Sequence, residues 1–137
     1  GRLNENGYHL RTGWIGEKTI TIYKPRPEHI GIPGFVYGGL LASLIDCHGV
    51  GQPFVSAPKE WKFSLRWAEP PRFVTGSLKV DFKHPTPFGE PLKAIGTVEE
   101  IHPKKYRVHT EVFAGDNLVV TGEVIAVLMP KTFRKEE

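Results

Sequence analysis

The sequence predicts an α+β fold, with one helix early in the chain followed by a run of antiparallel strands. Three observations carry this. Fifteen Gly and twelve Pro occupy about a fifth of the 137 residues, against roughly 12 % in average proteins, and they punctuate short elements instead of gathering in one tract. Helical periodicity occurs in one place, from Gly38 to His48. After it, β-branched and aromatic residues cluster in four segments separated by turn chemistry. The length, with 39 % hydrophobic and 24 % charged residues, suits a single domain over residues 1–137 that buries roughly two-thirds of its unfolded surface.

Taken in order, Tyr8 to Ile15 and Thr19 to Tyr23 read as strands split by Gly16-Glu17. Pro25, Pro27 and Pro33 then hold Lys24 to Gly34 out of regular structure, because each ring fixes φ and deletes a donor. The helix follows from Gly38 to His48, with Gly49 and Gly51 as candidates for its C-cap. A Trp-containing connection, Pro53 to Pro71, leads to strands over Phe73 to Phe82, Leu92 to Ile101, Tyr106 to Phe113 and Leu118 to Met129. His102-Pro103-Lys104-Lys105 and Ala114-Gly115-Asp116-Asn117 supply turns that make the last three a meander. No internal repeat is present, which argues against a solenoid or propeller.

Several function classes are excluded at this level. The longest strongly apolar stretch, Phe35 to Ile45, is far short of the roughly 18 residues a membrane helix needs, and Gly1 to Gly7 carries no basic-then-apolar targeting pattern. The formal charge of +3 is too small and too dispersed for a nucleic-acid surface, although it favours an anionic ligand. One cysteine, Cys47, rules out an internal disulfide and suits a reducing, cytoplasmic setting. The six histidines are scattered without a His-x-x-x-His pair, so no metal site is expected.

The helix holds the candidate chemistry. At about 100° per residue, Leu40, Leu41, Leu44, Ile45 and His48 share one half, and Gly38, Gly39, Ala42, Ser43, Asp46 and Gly49 the other. The leucine half is what a sheet buries. The opposite half is unusually small for a solvent face, and Asp46 is its one carboxylate. Cys47 and His48 point elsewhere, so no Cys-His-Asp triad forms there; Cys47 reads as a small, partly buried residue and His48 as a group packed near the helix C-terminus. Pro33 to Gly39 leads into the helix start, where unpaired N–H groups and the positive dipole end can bind an oxyanion or polarise a carbonyl. A carboxylate and an oxyanion site are the minimal equipment for acyl transfer or hydrolysis.

The segments Pro33-Gly-Phe-Val-Tyr-Gly-Gly-Leu-Leu-Ala-Ser-Leu-Ile-Asp46 and Val74-Thr-Gly-Ser-Leu-Lys-Val-Asp-Phe-Lys-His-Pro85 resemble the hotdog-fold acyl-CoA thioesterases of the phenylacetate-degradation (PaaI) type. The resemblance covers roughly residues 30 to 130. It implies a curved antiparallel sheet wrapped around one central helix, and hydrolysis of a CoA thioester to free acid and CoA with no cofactor, CoA being part of the substrate. Asp46 matches the family's nucleophile or water-activating base, Gly38 with Gly39 beside it the N–H that polarises the thioester carbonyl, and Thr75 the residue that positions the water or the carboxylate. Tyr37 stands where the family usually has the His of His-Gly-Gly, and Gly31 where it often has Asn. Lys83 and His84 end the Thr75 strand where the resemblance places the mouth of the site, in reach of CoA phosphate; a solvated strand end is the competing reading.

Helix geometry adds a separate point. Gly38 and Asp46 are eight residues apart, roughly 12 Å along a helix axis, too far for both to reach one carbonyl carbon. A two-fold dimer with antiparallel helices brings Gly38 of one protomer toward Asp46 of the other and makes two equivalent sites. The resemblance implies the same homodimer, and dimers that pair further are compatible with it. Trp61, Phe63 and Trp67, interleaved with Lys59, Lys62 and Arg66, are read as core packing or a flap over the acyl pocket in preference to a base-stacking surface. The tail from Lys131 to Glu137 reads as frayed.

Two alternatives stand beside the hydrolase. One is a non-catalytic acyl-CoA binding or sensing module, favoured by Tyr37 and Gly31. The other is a 3-hydroxyacyl dehydratase, whose His-Phe-Pro-Gly pattern is faintly echoed by His29-Ile30-Gly31-Ile32-Pro33-Gly34 but whose acidic partner falls at a different spacing from the 17 residues between His29 and Asp46.

Overall fold

The computed structural model describes residues 5–10, 12–15, 18–56 and 72–133. The aromatic connection with Trp61, Phe63 and Trp67, and the tail beyond 133, lie outside the described residues. Strands β1 (Thr12–Ile15), β2 (Lys18–Tyr23), β3 (Phe73–Phe82), β4 (Leu92–His102), β5 (Lys105–Ala114) and β6 (Asn117–Leu128) form one antiparallel sheet in the order β1-β2-β4-β5-β6-β3. One long helix, α1 (Gly38–Ser56), lies against a single face of it. This is the hotdog architecture, and β4, β5 and β6 are the expected meander.

The leucine half of α1 makes the core. Leu40, Leu41, Leu44 and Ile45 are buried against Leu92, Ala94, Val112, Val120 and Val124 from the sheet. The sheet is shaped to receive them. In register, Thr19 of β2, Gly96 of β4, Thr110 of β5 and Gly122 of β6 form one row across the strands. A side chain at Gly96 would come within 2.5 Å of His48 Nε2, and one at Gly122 would strike Ile45. Two glycines therefore open a groove in which the helix seats.

Two boundaries differ from expectation. Helix α1 runs through Gly49 and Gly51 to Ser56 instead of ending at them. Gly49 has no positive φ, and a Cβ there would lie 2.5 Å from Val124, so this glycine permits close helix-to-sheet approach and is not a cap. The first strand starts at Thr12, not Tyr8, because His9 sits at φ 53°, in the left-handed region that no strand residue occupies; Tyr8 and Leu10 still pack on the core.

Strand β3 is irregular where it matters. Pairing with β6 slips between Thr75 and Ser77, leaving Gly76 as an extra residue in a bulge. In a regular strand Thr75 and Phe82, seven residues apart, would face opposite sides. The bulge resets the alternation, and both reach α1: Thr75 at Asp46 and Phe82 at Gly38.

His48 is a departure in character. It is wholly buried mid-helix, not at a helix end, with Nδ1 2.7 Å from Thr21 Oγ1 and Nε2 3.4 Å from Thr19 Oγ1. Thr19 donates to the Gly96 carbonyl, and Thr21 Oγ1 is 2.8 Å from Thr12 Oγ1. One neutral tautomer satisfies the whole chain: Nε2–H donates to Thr19, and Nδ1 accepts from Thr21, which in turn accepts from Thr12. Burial lowers the His48 pKa from 6.5 to about 4.

Because the unfolded chain binds this proton more readily than the folded one, His48 stabilises the fold above pH 6.5 and that contribution is lost as the pH falls toward 4. The full loss is about 3 kcal/mol. Urea unfolding at pH 7.5 and 4.5 should show a steeper acid loss in the native protein than in His48→Gln; equal losses would remove His48 from the account.

Candidate active site

The helix start is held by a clamped loop. Gly31 N–H donates to the Phe35 carbonyl at 3.0 Å and Phe35 N–H to Ile32 at 2.9 Å, with Gly34 at φ 86° closing the turn. Val36 N–H donates to Thr86, Phe88 N–H to Gly34 and Tyr37 N–H to His29, at 2.8–3.0 Å. Pinned on two sides, the loop delivers Gly38 and Gly39 as the first exposed residues of α1. Their N–H groups have no intrahelical acceptor, and no acidic side chain occupies the first turn to neutralise the dipole. Fixed N–H donors of this kind can bind an anionic oxygen.

Tyr37 packs across Gly39. The neighbouring Tyr8 holds its phenol above the ordinary pKa. A side chain at Gly31 would lie 2.7 Å from the Tyr37 Cβ. The clash is with the Cβ and backbone of residue 37, so with the loop folded this way position 31 has room only for glycine. No side chain at 31 supplements the backbone donors.

Asp46 and Thr75 are brought together. Thr75 donates to Asp46 Oδ1 at 2.5 Å, which fixes the half-buried carboxylate and leaves Oδ2 for another partner. Asp46 is reached from β3 because of the Gly76 bulge, a feature with no signal in the sequence beyond the glycine itself. Gly38 lies at the other end of this face, beside the Phe82 ring. Within one chain the carboxylate and the N–H donors are thus separated along the helix, roughly 12 Å by rise.

Lys83 and His84 are exposed, and their N–H groups both donate to the Val119 carbonyl where β3 ends. They rim a cavity of about 300 Å³ that also touches Gly38, Leu41, Phe82 and Thr86. Cys47 is exposed, where partial burial was expected. Desolvation first, and the Asp46 charge second, raise its pKa, so the thiol stays protonated and is a poor nucleophile.

His29, the histidine of the dehydratase alternative, is buried among the rings of Tyr8, Tyr23 and Tyr37, at centroid distances of 5.6–6.3 Å. Its Nδ1 accepts from the Arg26 N–H at 3.1 Å, and burial lowers its pKa. It is a structural residue. Among the described residues no three His, Cys, Asp or Glu side chains are grouped to hold a metal ion. No helix among them is long and apolar enough to cross a membrane.

No family model matches the chain. It is 41 % identical to a thioesterase-superfamily protein of Shewanella loihica, over 91 % of this chain and 95 % of that one, with a TM-score of 0.73. The PaaI protein of the E. coli phenylacetic acid degradation operon shares the fold at 14 % identity, with a TM-score of 0.71 over 90 % of this chain and 81 % of that one. In sequence, the chain is 25 % identical over 113 residues to the acyl-coenzyme A thioesterase THEM4 of Xenopus laevis, covering 82 % of this chain. It spans 45 % of the length of that curated relative.

Proposed function

The chain belongs to the thioesterase superfamily of thioester hydrolases, and from that membership we propose that it cleaves acyl-coenzyme A to free acid and CoA. The reaction takes place in a homodimer, at composite sites. Each site combines Asp46 and Thr75 of one protomer with the Gly38 and Gly39 N–H groups of its partner. The observation that carries this reading is the Thr75 hydrogen bond to Asp46, which orients a carboxylate on the helix face that also ends in unpaired N–H donors.

An open sheet edge supports the dimer. Among the described residues strand β3 is an edge, bonded only to β6, and it is exposed along most of its length. Leu78 and Phe82 stand out from it at 42 % and 57 % exposure. An open edge of ten residues invites pairing with a second copy. A two-fold axis through the middle of β3, near Leu78, exchanges its Thr75 end with its Phe82 end. That operation places Asp46 of one protomer toward Gly38 of the other, which no arrangement of a single helix achieves.

In each site the N–H groups of Gly38 and Gly39 draw the thioester oxygen and stabilise the negative charge it gains. Asp46 Oδ2 supplies the electron pair, either by taking a proton from the attacking water or by forming an anhydride that water then opens. Both routes consume one water, break the C–S bond and hand a proton to the departing thiolate. Lys83 and the His84 ring, at the cavity rim, are placed to meet the coenzyme phosphates. The lone free thiol suits a reducing, cytoplasmic compartment.

Gly31 favours one other reading, a module that binds acyl-CoA without cleaving it, because no side chain there reinforces the oxyanion site. Thiol release at neutral pH across short, long and aromatic acyl-CoAs separates the two. Turnover of at least one substrate class is expected; binding without release would leave the module as the function.

A further inference from the structure

We propose that His29 is a positioning residue for the thioester reaction, holding the Gly38 and Gly39 N–H donors in place through Tyr37 and loosening them when its ring takes up a proton. The proposal rests on the thioesterase reading and adds a means of regulating that same site. His29 closes a short 3-10 turn, Pro27–His29. Its N–H donates to the Arg26 carbonyl at 2.8 Å, and its Nδ1 accepts from the Arg26 N–H at 3.1 Å, so backbone and ring are fixed against one residue. From that anchor His29 reaches the helix start by two contacts. Its carbonyl accepts from the N–H of Tyr37, the residue before Gly38, at 3.0 Å. Its ring lies 6.3 Å from the Tyr37 ring, centroid to centroid, and the Tyr37 ring packs across Gly39.

The anchor works in one protonation state. To accept from Arg26, Nδ1 must be bare, which makes the ring the neutral Nε2–H tautomer. A proton on Nδ1 sets two donors against each other. It also puts a cation in a place that is 4 % exposed and faced by the phenol rings of Tyr8 and Tyr23, at 5.6 and 6.0 Å, as well as Tyr37. Among the described residues the charged side chains that act on it are Arg26 and Glu28, ion-paired at 3.0 Å. Burial first and the Arg26 charge second hold the His29 pKa below its ordinary value, with Glu28 opposing them. The phenols of Tyr23, through burial, and Tyr37, through Tyr8, lie above theirs and carry no charge in acid. His29 is therefore neutral at neutral pH, and the proton it takes up in acid breaks the bond that fixes the turn. Small displacements of groups that meet a transition state are costly in rate.

Two variants test this. His29→Leu occupies the site without an acceptor, whereas His29→Asn loses the same ring packing but can place an uncharged oxygen where Nδ1 stood. Because the donors act on charge that develops in the transition state, His29→Leu should lower kcat by about tenfold or more with KM within about twofold, and His29→Asn should recover most of the loss. A purely structural role would lower the melting temperature of both and leave kcat alike. The profile of kcat against pH should also fall at a higher pH in the parent than in His29→Asn; Asp46 and His48 are common to both, so the difference belongs to position 29. Parental kcat in His29→Leu, His29→Asn no better than His29→Leu, or the same acid limb in parent and His29→Asn would overturn the proposal. If His29→Leu does not fold, the two pH profiles decide. Absence of any turnover by the parent protein would instead sink the thioesterase reading. The amide resonances of Gly38 and Gly39 then test the role of His29: they should shift through its titration in the parent and not in His29→Asn, and resonances that do not respond would count against it.

Discussion

Replacing Asp46 with asparagine is expected to lower acyl-CoA turnover by at least about a hundredfold, whichever route the carboxylate serves. Asparagine has nearly the same shape, and its amide oxygen can still accept from Thr75, so the site geometry is retained. What disappears is the electron pair and charge at Oδ2. Asp46→Ala should lose as much while also leaving the Thr75 hydroxyl without its acceptor. Thiol release measured beside size-exclusion chromatography separates lost chemistry from a lost dimer. A variant that retains a tenth or more of parental turnover, with the dimer intact, would remove Asp46 from the reaction.

Gly38→Pro should have an effect of similar size by a different physical route. Proline deletes one of the two N–H groups assigned to the thioester oxygen, and loss of a single oxyanion donor costs about a hundredfold to a thousandfold. The fold should tolerate it. Proline is favoured at the first helical position, where its fixed φ is already helical and the missing N–H had no intrahelical acceptor. The nearest atom to a Cβ at this position is the tip of the Phe82 ring, at 3.2 Å, which can move aside. Unchanged circular dichroism with kcat reduced is the expected outcome; full activity would show that the helix start does not polarise the carbonyl.

The fold was legible because its signals are local. The leucine spacing of α1 predicts its buried face residue by residue, and Gly115-Asp116 and Pro103-Lys104 sit at the turns of the meander. What was not legible depends on contacts distant in sequence. Gly49 carries the composition of a helix cap, yet it is needed because Val124 lies against it. The same holds for Gly96 and Gly122, whose absent side chains make the helix groove. His48 reads as a polar residue at a helix end, and only the threonines of β1 and β2 show that it is buried and neutral.

The site divides in the same way. Asp46 and the Gly38-Gly39 pair are singled out by helix spacing and by motif, but the Asp46–Thr75 contact depends on a bulge at Gly76 that no periodicity announces. The link between Gly31 and Tyr37 is likewise spatial, since the five intervening residues fold back so that one leaves no room for a side chain on the other.

The composite site is the claim on which the rest depends, and mixed dimers test it. Asp46→Ala and Gly38→Pro protomers, each inactive alone, are unfolded together in equal amounts and refolded. Random pairing makes half the dimers mixed, and each mixed dimer has one site with both an intact Asp46 and an intact Gly38, so thiol release should return to about a quarter of the parental rate. Activity that stays at the level of the two inactive parents, with mixed dimers shown to have formed, would contradict a site shared between two chains.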